Sequence, residues 1–509
     1  MNIRKLLTRL VSLALIAVFL PTVAMADTWY LEDGSITVSA TESGQNVSQG
    51  GVTKEDSAPV IRNRDSSAST TNNVTIRADT GATASVTLKD TNIDTTGGAG
   101  PKGAGDAAVR TEGGGNVNLN VELDNTLQSG NTHAGVEKGN GGNLTIGSES
   151  GSGQLVAVGA DGGAGIGSED RLASGNYNVG NITITGGDIF ATGNGGGAGI
   201  GGGWYCSASD ITITGGNVTA VGKEDNPNRI GGAGIGGGGS QSSNAGGGSN
   251  LKITGGRVTA VGGNFSAGIG GSIGSNGDNI TISDAEVIAI GGTCAAGIGG
   301  GCRLGNGIVG QGTNISISGS ANVKAAGGVG DSMDGAGAAI GAGGSHQGTT
   351  AQEGAADTSG LSPDGSVERL DPGTTFDIPQ PKPRSSFPKP APDPVAVEEE
   401  PQPVKAALYR VIDDAGKALP VETKQEDGVL LLTAQADIAI LEGAISGLQT
   451  LQSRGIDTIT FTNGTISVSF SLAEVIAKGA SSDVYRLTLS GGEANFTLAD
   501  ADITVLLGK

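Results

Sequence analysis

Aromatic side chains make up only 3% of this chain, and histidine occurs just twice, as His133 and His346. So few rings exclude an ordinary large core built on Phe, Tyr and Trp, and two histidines leave little material for a zinc site or a Ser-His-Asp triad. Positive charge is also short: 30 Lys and Arg stand against 51 Asp and Glu, a net −21. That balance repels phosphate and excludes nucleic acid as partner, while divalent cations and uncharged glycans stay compatible. Long apolar runs are missing too. The one from Leu10 to Leu20 is shorter than the ~20 residues a spanning helix needs, so no membrane-spanning segment is expected. With Arg4, Lys5 and Arg9 before it and Ala24-Met25-Ala26 after it, the run reads as a secretory signal over 1–26, with the mature chain starting at Asp27. No Leu-Pro-x-Thr-Gly signal lies near Lys509 and no cysteine follows Ala26 to carry a lipid. The expectation is a secreted, extracellular or surface-associated protein, held to a cell, if at all, by other means.

What the chain has is glycine, 94 residues of 509, and a repeat. A polar residue followed by alternating apolar positions appears as Ser85-Val86-Thr87-Leu88, Asn116-Val117-Asn118-Leu119, Asn143-Leu144-Thr145-Ile146 and Asn181-Ile182-Thr183-Ile184. It returns at Asp210, Asn250, Asn279 and Asn314, every 27 to 40 residues, the spacing of solenoid coils. Each coil divides into three short period-two segments. Ile182, Ile184, Ile189, Ala191 and Ile200 are expected to face inward and Thr183 and Thr185 outward, so that only stacking buries the apolar stripe. Three strands per coil imply three parallel sheets, with coils ~4.8 Å apart. The Asn opening each first strand suits an amide ladder running from coil to coil, interrupted by the charge of Asp210, and turn preference accounts for Asn there without a ligand.

Ala-Gly-Ile-Gly-Gly recurs from Ala198, Ala233, Ala267 and Ala296, with weaker forms at Ala164, where Ser168 replaces the last glycine, and at Ala338. Each copy precedes a strand and lacks a Lys-Ser/Thr ending, so none is a nucleotide-binding loop. The pairing of Ile211 to Gly222 with Gly232 to Gly238 resembles the Gly-rich repeats of clostridial-type secreted β-helix surface proteins, over roughly Val117 to Gly344. It is more distantly similar to β-helical carbohydrate-binding domains that share the polysaccharide-lyase fold. The resemblance implies a right-handed parallel β-helix and a plant or host glycan ligand. Those domains carry Asp-Gly-Ile where this chain has Ala-Gly-Ile, so their cation-binding positions do not transfer.

Catalytic material is thin. A lyase needs carboxylates for calcium and a basic residue for the proton beside the uronate. Arg171, Arg229, Arg257 and Arg303 fall in different coils or turns, and Asp188, Asp210, Asp284 and Glu286 form no same-face cluster. No catalytic residue, metal ligand or cofactor is assigned, and calcium is compatible without being placed. Trp204-Tyr205 is the most concentrated aromatic spot, with Tyr177 and Phe190 as candidate neighbours. As a flat apolar face beside polar handles, Trp204, Tyr205 and Tyr177 are the candidate carbohydrate-binding residues, against the plainer reading that they cover a loop. Cys206 lies about three coils from Cys302, roughly 14 Å at ladder spacing, too far for a disulfide. Cys294 and Cys302 flank one Ala-Gly-Ile-Gly-Gly segment and would not meet across a straight strand, so buried thiols are expected.

The fold class expected is mainly β, arranged as an N-terminal β cap over 27–84, a parallel β-helix over 85–345, a Pro-rich linker over 346–404 and a small α+β domain over 405–509. Eleven prolines between Pro363 and Pro403 read as an extended spacer. In the last domain Ile438, Leu441, Ile445, Leu448 and Leu451 have helical spacing, Ser471 and Glu474 match a capping box, and hairpins turn at Asn463-Gly464 and Gly491-Gly492. Its position suits attachment to a cell wall or a protein partner. The function expected is a carbohydrate-binding, adhesin-like protein with polysaccharide or surface glycan as partner. The alternatives are a polysaccharide lyase or glycoside hydrolase on the same fold, and a stalk that binds nothing.

Overall fold

A computed structural model describes residues 27–509, apart from 97–105, 171–177, 224–229, 242–245, 304–307, 346–349, 385–408 and some one- or two-residue positions. The signal expected over 1–26 lies outside the described residues. Two compact units form, Met1–Asp393 and Pro394–Lys509.

The first unit is a right-handed parallel β-helix. Each coil contributes one strand to each of three sheets, designated A, C and B in the order the chain visits them. In one coil these are Asn116–Glu122, Asp124–Gln128 and Val136–Lys138. Alternation does the folding. The predicted inward residues Ile182, Ile184, Ile189, Ala191 and Ile200 are at most 1% exposed, and each stacks on its equivalent in the next coil, as Ile182 does on Ile211 and Ile200 on Ile235. Burying one such isoleucine contributes about 2 kcal/mol. The corner from sheet A to sheet C turns on a single left-handed residue, Asp90 (φ 57°), Leu123 (57°) or Asp284 (50°) in irregular coils.

The Ala-Gly-Ile-Gly-Gly motif forms the third corner and sheet B, with strands only two residues long such as Ile200–Gly201 and Ile235–Gly236. At Gly199 an added Cβ would strike the backbone of Val221 in the next coil. At Gly201 the backbone sits at φ 136° against Gly236. Side chains are excluded from both positions, and the glycines let the corners stack.

Residues 27–84 build the first coils and their cover. Ile36–Thr41 pairs in parallel with Val74–Ala78, and Gly44–Gln49 and Val52–Glu55 add antiparallel strands at the edge of sheet B. At the other end the solenoid runs past 345. Ala356–Asp357 extends sheet A and Ser366–Leu370 extends sheet C. Glu353 accepts hydrogen bonds from the N–H groups of Ala339 (2.6 Å) and Ile340 (3.2 Å), standing in for the coil that does not follow. The spacer expected over 346–404 therefore does not begin at 346. Residues as far as Arg384 belong to the solenoid, because sheet edges left by the last coil need partners.

Cys294 and Cys302 form a disulfide, Cα–Cα 5.4 Å, which corrects the expectation of thiols. The segment between them is bent: Cys294 is left-handed (φ 51°), and Ala296 N–H donates to Gly300 O at 3.1 Å. Cys206 is buried and outside any disulfide.

The second unit holds a five-stranded sheet, from Arg410–Ile412 to Ala501–Asp502, and a four-stranded sheet, Glu422–Glu426 to Ser467–Ser471. Phe461, Phe470, Tyr485 and Phe496 are at most 2% exposed in its core. Both hairpins form as expected, Thr458–Thr462 with Ser467–Ser471 and Val484–Ser490 with Glu493–Leu498. The helix is shorter than its spacing suggested. Ile438–Ala444 is a strand paired with Val484–Ser490, and only Ile445–Ser453 is helical; cross-strand pairing overrides the local pattern. Ser471 does precede the short helix Leu472–Ile476 but makes no side-chain cap bond.

Candidate functional site

The outer face of sheet A is a flat polar surface built by the repeat itself. Pairing register aligns Ser85, Asn118, Thr145, Thr183, Thr212, Lys252, Thr281 and Ser316 in one column, each between inward aliphatic residues. A second column carries the strand-opening residues. Asn181, Asp210, Asn250, Asn279 and Asn314 all adopt left-handed backbone, φ 50–57°, which Asn and Asp tolerate best after glycine. The exposed side chains of the last four form the expected ladder, in which Asn314 donates to Asn279 at 3.1 Å, Asn279 to Asn250 at 3.2 Å and Asn250 to Asp210 at 3.0 Å; in the earlier coils Asn116 instead accepts from the backbone N–H of Asn143 at 2.9 Å. Asp210 receives the ladder as its acceptor, where the sequence suggested an interruption. Toward the N-terminal coils the face sinks into a groove of about 330 Å³ lined by Asn118, Asn120, Thr145, Ser148, Glu149 and Thr185. Asn120 is fixed by Glu149 N–H at 2.9 Å, whereas Asn118 and Thr145 present an amide and a hydroxyl.

The aromatic platform expected at Trp204 and Tyr205 takes a different form. Trp204 is 7% exposed, with its ring over Gly196 where a Cβ would overlap it. It is a packing residue with no open stacking face. Tyr205, left-handed at φ 65°, is half-buried and meets the Trp204 ring edge-on at 5.4 Å between centroids. Tyr177 lies outside the described residues, and so do Arg171 and Arg229. Phe190 sits on the outer face of sheet C between Val156 and Thr219.

The carboxylates weighed as catalytic are tied up separately. Asp188 meets Lys382 at 2.8 Å, Glu286 meets Arg257 at 2.8 Å, Asp284 accepts from Ser320 N–H at 2.9 Å and Asp210 ends the Asn ladder. Arg303 pairs with Asp334 at 2.7 Å in a buried bridge.

The cluster that sequence reasoning missed lies on sheet B. Glu137 projects outward opposite Arg110 in the preceding coil, 2.7 Å from its Nε, and His133 Nδ1 is 2.6 Å from Glu137 and 3.3 Å from Glu169 in the next coil. Burial is the largest single influence on His133 and opposes its charge, but the hydrogen bond and charge of Glu137 together with the charge of Glu169 outweigh it and hold the imidazole above its usual 6.5. Burial likewise works against the Glu137 carboxylate, and His133 with Arg110 holds it below its usual 4.5. The ligand atoms of His133, Glu137 and Glu169 lie within 4.8 Å of one another, the arrangement of a small metal site. Arg110, also 3.2 Å from His133 Nδ1, already supplies the cation there, so the group balances as an ion network joining three coils. In the same strand, burial pushes the Lys138 amine down to about 8. A signal for the cluster existed: Arg110 and Glu137 occupy the place of the second glycine in Ala-Gly-Ile-Gly.

A family model described as a beta helix repeat matches residues 182–204, 211–239, 251–274 and 280–302. No curated protein and no solved structure matches the chain.

Proposed function

We propose that this chain is a glycan-binding, adhesin-like protein of the cell exterior, and that its ligand lies along the outer face of sheet A. The observation that carries the reading is the groove at Asn118, Asn120, Thr145 and Thr185, continuous in register with the Thr and Asn columns. Amides and hydroxyls both donate and accept, which suits sugar hydroxyls. They recur once per coil, ~4.8 Å apart, close to the length of a sugar ring, so successive rings of an extended polysaccharide meet equivalent groups. With no open aromatic platform at Trp204 among the described residues, each contact is modest, and affinity comes from repetition along the chain.

The net charge of −21 favours neutral over acidic glycans. Hydrolysis or elimination would require paired carboxylates, or a base and a carboxylate, facing open substrate space. Among the described residues, the carboxylates Glu137 and Glu169 that gather at His133 are held in the ion network.

The test is a pull-down of the full mature chain on soluble and insoluble polysaccharides, with and without calcium, while ultraviolet absorbance is followed for unsaturated uronate. Retention on a neutral glycan without product is expected. Product formation would favour a lyase, and no retention across the panel would favour a stalk.

A further inference from the structure

After its last sheet C strand, Ser366–Leu370, the chain turns at Gly373 (φ 81°), whose N–H donates to Gly327 O at 2.9 Å, and runs back along the solenoid. Its path is marked by specific contacts. Phe376 lies over the outer face of sheet C, where it lines a pocket of about 390 Å³ together with Val287, Ile288, Asn322, Lys324 and Ser366. The side-chain amide of Gln154 grips the backbone of Lys382 at both ends, accepting from its N–H at 2.8 Å and donating to its carbonyl at 3.1 Å. Lys382 Nζ meets Asp188 at 2.8 Å.

Arg384 finishes the path. Its guanidinium donates to Ser66 O (2.8 Å), Asp124 O (2.7 Å), Thr91 O and the Thr126 hydroxyl (3.2 Å), with the Asp90 carboxylate at 3.6 Å. Asp90 and Thr91 are at most 4% exposed. Three carbonyls, a hydroxyl and a carboxylate around one planar cation form a built arginine site.

The distances require an extended segment. From the Phe376 pocket to the Arg384 site the path crosses five strand spacings of sheet C, ~24 Å at ~4.8 Å each, and eight residues in polyproline geometry cover ~25 Å at ~3.1 Å each. Pro379, Pro381 and Pro383 stiffen that stretch. Beneath it the outward positions of sheet C are Val156, Phe190, Thr219, Thr259 and Ile288 in register. Thr219 is 6% and Thr259 2% exposed although both point away from the core, as residues under a cover are.

We propose that the outer face of sheet C is a docking groove for one extended, proline-spaced, arginine-ended peptide, the chain's own 374–384, held as a releasable strap with Arg384 as its anchor. Gln154 and Asp188 hold Lys382 close to that anchor, and Phe376 lies near the start of the strap beside Ile288 and Lys324. Release uncovers the outward side chains of Val156, Phe190 and Ile288.

The test uses the full mature chain with Lys382→Glu and Arg384→Glu, which adds two like charges beside Asp188 and Asp90. A fluorescent peptide of the sequence 374–384 is expected to bind this variant saturably and the wild type at least tenfold more weakly, because the wild-type groove is occupied. The same peptide with Arg384→Ala is expected to bind the variant at least tenfold more weakly than the unaltered peptide. A variant that keeps its β circular dichroism yet fails to bind the peptide overturns the proposal. Hydrogen exchange gives a check that does not depend on that variant. The Lys382 amide of the wild type is expected to be protected, and Gln154→Ala to remove the protection. Exchange of that wild-type amide at the free-peptide rate overturns the proposal as well.

Discussion

The Asn250 side-chain amide donates to the Asp210 carboxylate of the preceding coil at 3.0 Å, and Asn279 and Asn314 repeat the bond in the same direction. The ladder is thus polar along the solenoid axis, ending in a charged acceptor. Replacing Asn279 with Ala breaks two of its bonds at an exposed position. A loss of about 1 kcal/mol or less is expected, read as faster exchange confined to the amides of Gly277–Ser283 and its neighbouring strands.

Glu137 holds both Arg110 and His133 in a largely buried setting. Glu137→Ala leaves two cations without that partner, and a loss of about 3 kcal/mol is expected, seen as a lower denaturant midpoint for the solenoid. Glu137→Gln, which keeps the shape and one acceptor, should recover part of it.

The same cluster sets a pH window. His133, raised above 6.5, contributes stability that is complete below that value and lost as pH rises through the folded pKa; Glu137, lowered beneath 4.5, contributes stability that is complete above that value and lost as pH falls through its own. Protection of the strands Val109–Gly113 and Val136–Lys138 is expected to be greatest between pH 4.5 and 6.5. His133→Gln should flatten the alkaline limb and also weaken the acid limb, because His133 is the main group holding Glu137 low and only Arg110 then remains.

Reduction of the Cys294–Cys302 disulfide, or the double change to Ala, is expected to destabilise the coil by about 2 kcal/mol. Hydrogen exchange should rise around Ile298–Gly299 and Ile340–Gly341, while Cys206→Ala should leave those strands unchanged. Equal effects from Cys206→Ala would contradict this local role.

The solenoid was legible because its period-two pattern repeats. Ile182, Ile184, Ile189, Ala191 and Ile200 each report the same inward face, and stacking multiplies that signal. The Asn ladder was legible for the same reason. Where a feature occurs once, sequence pattern had nothing to average. The His133 cluster depends on side chains from coils whose loops differ in length, and the Cys294–Cys302 disulfide depends on a bend set by backbone hydrogen bonds. Proline content marked 374–384 as extended, but whether an extended segment hangs free or lies on a surface is decided by partners far along the chain, such as Gln154, Thr91 and Ser66. Trp204 misled because ring content says nothing about which side is covered, and bare Gly196 made room for the ring to pack inward. In the second unit the helical spacing through Ile438 gave way to pairing with Val484–Ser490.

The groove of sheet A is the proposed glycan site. Its most direct test is the affinity of the full mature chain for a retained neutral polysaccharide, compared with Asn118→Ala, Thr145→Ala and their combination. At these two outward positions, Asn118 exposed and Thr145 half-buried, the polar groups can be removed without disturbing the inward residues of either strand. The account predicts wild-type melting and circular dichroism for all three variants, affinity reduced severalfold in each single change, and at least a tenfold loss in the double. Undiminished binding by the double variant would contradict it and move the ligand off this face.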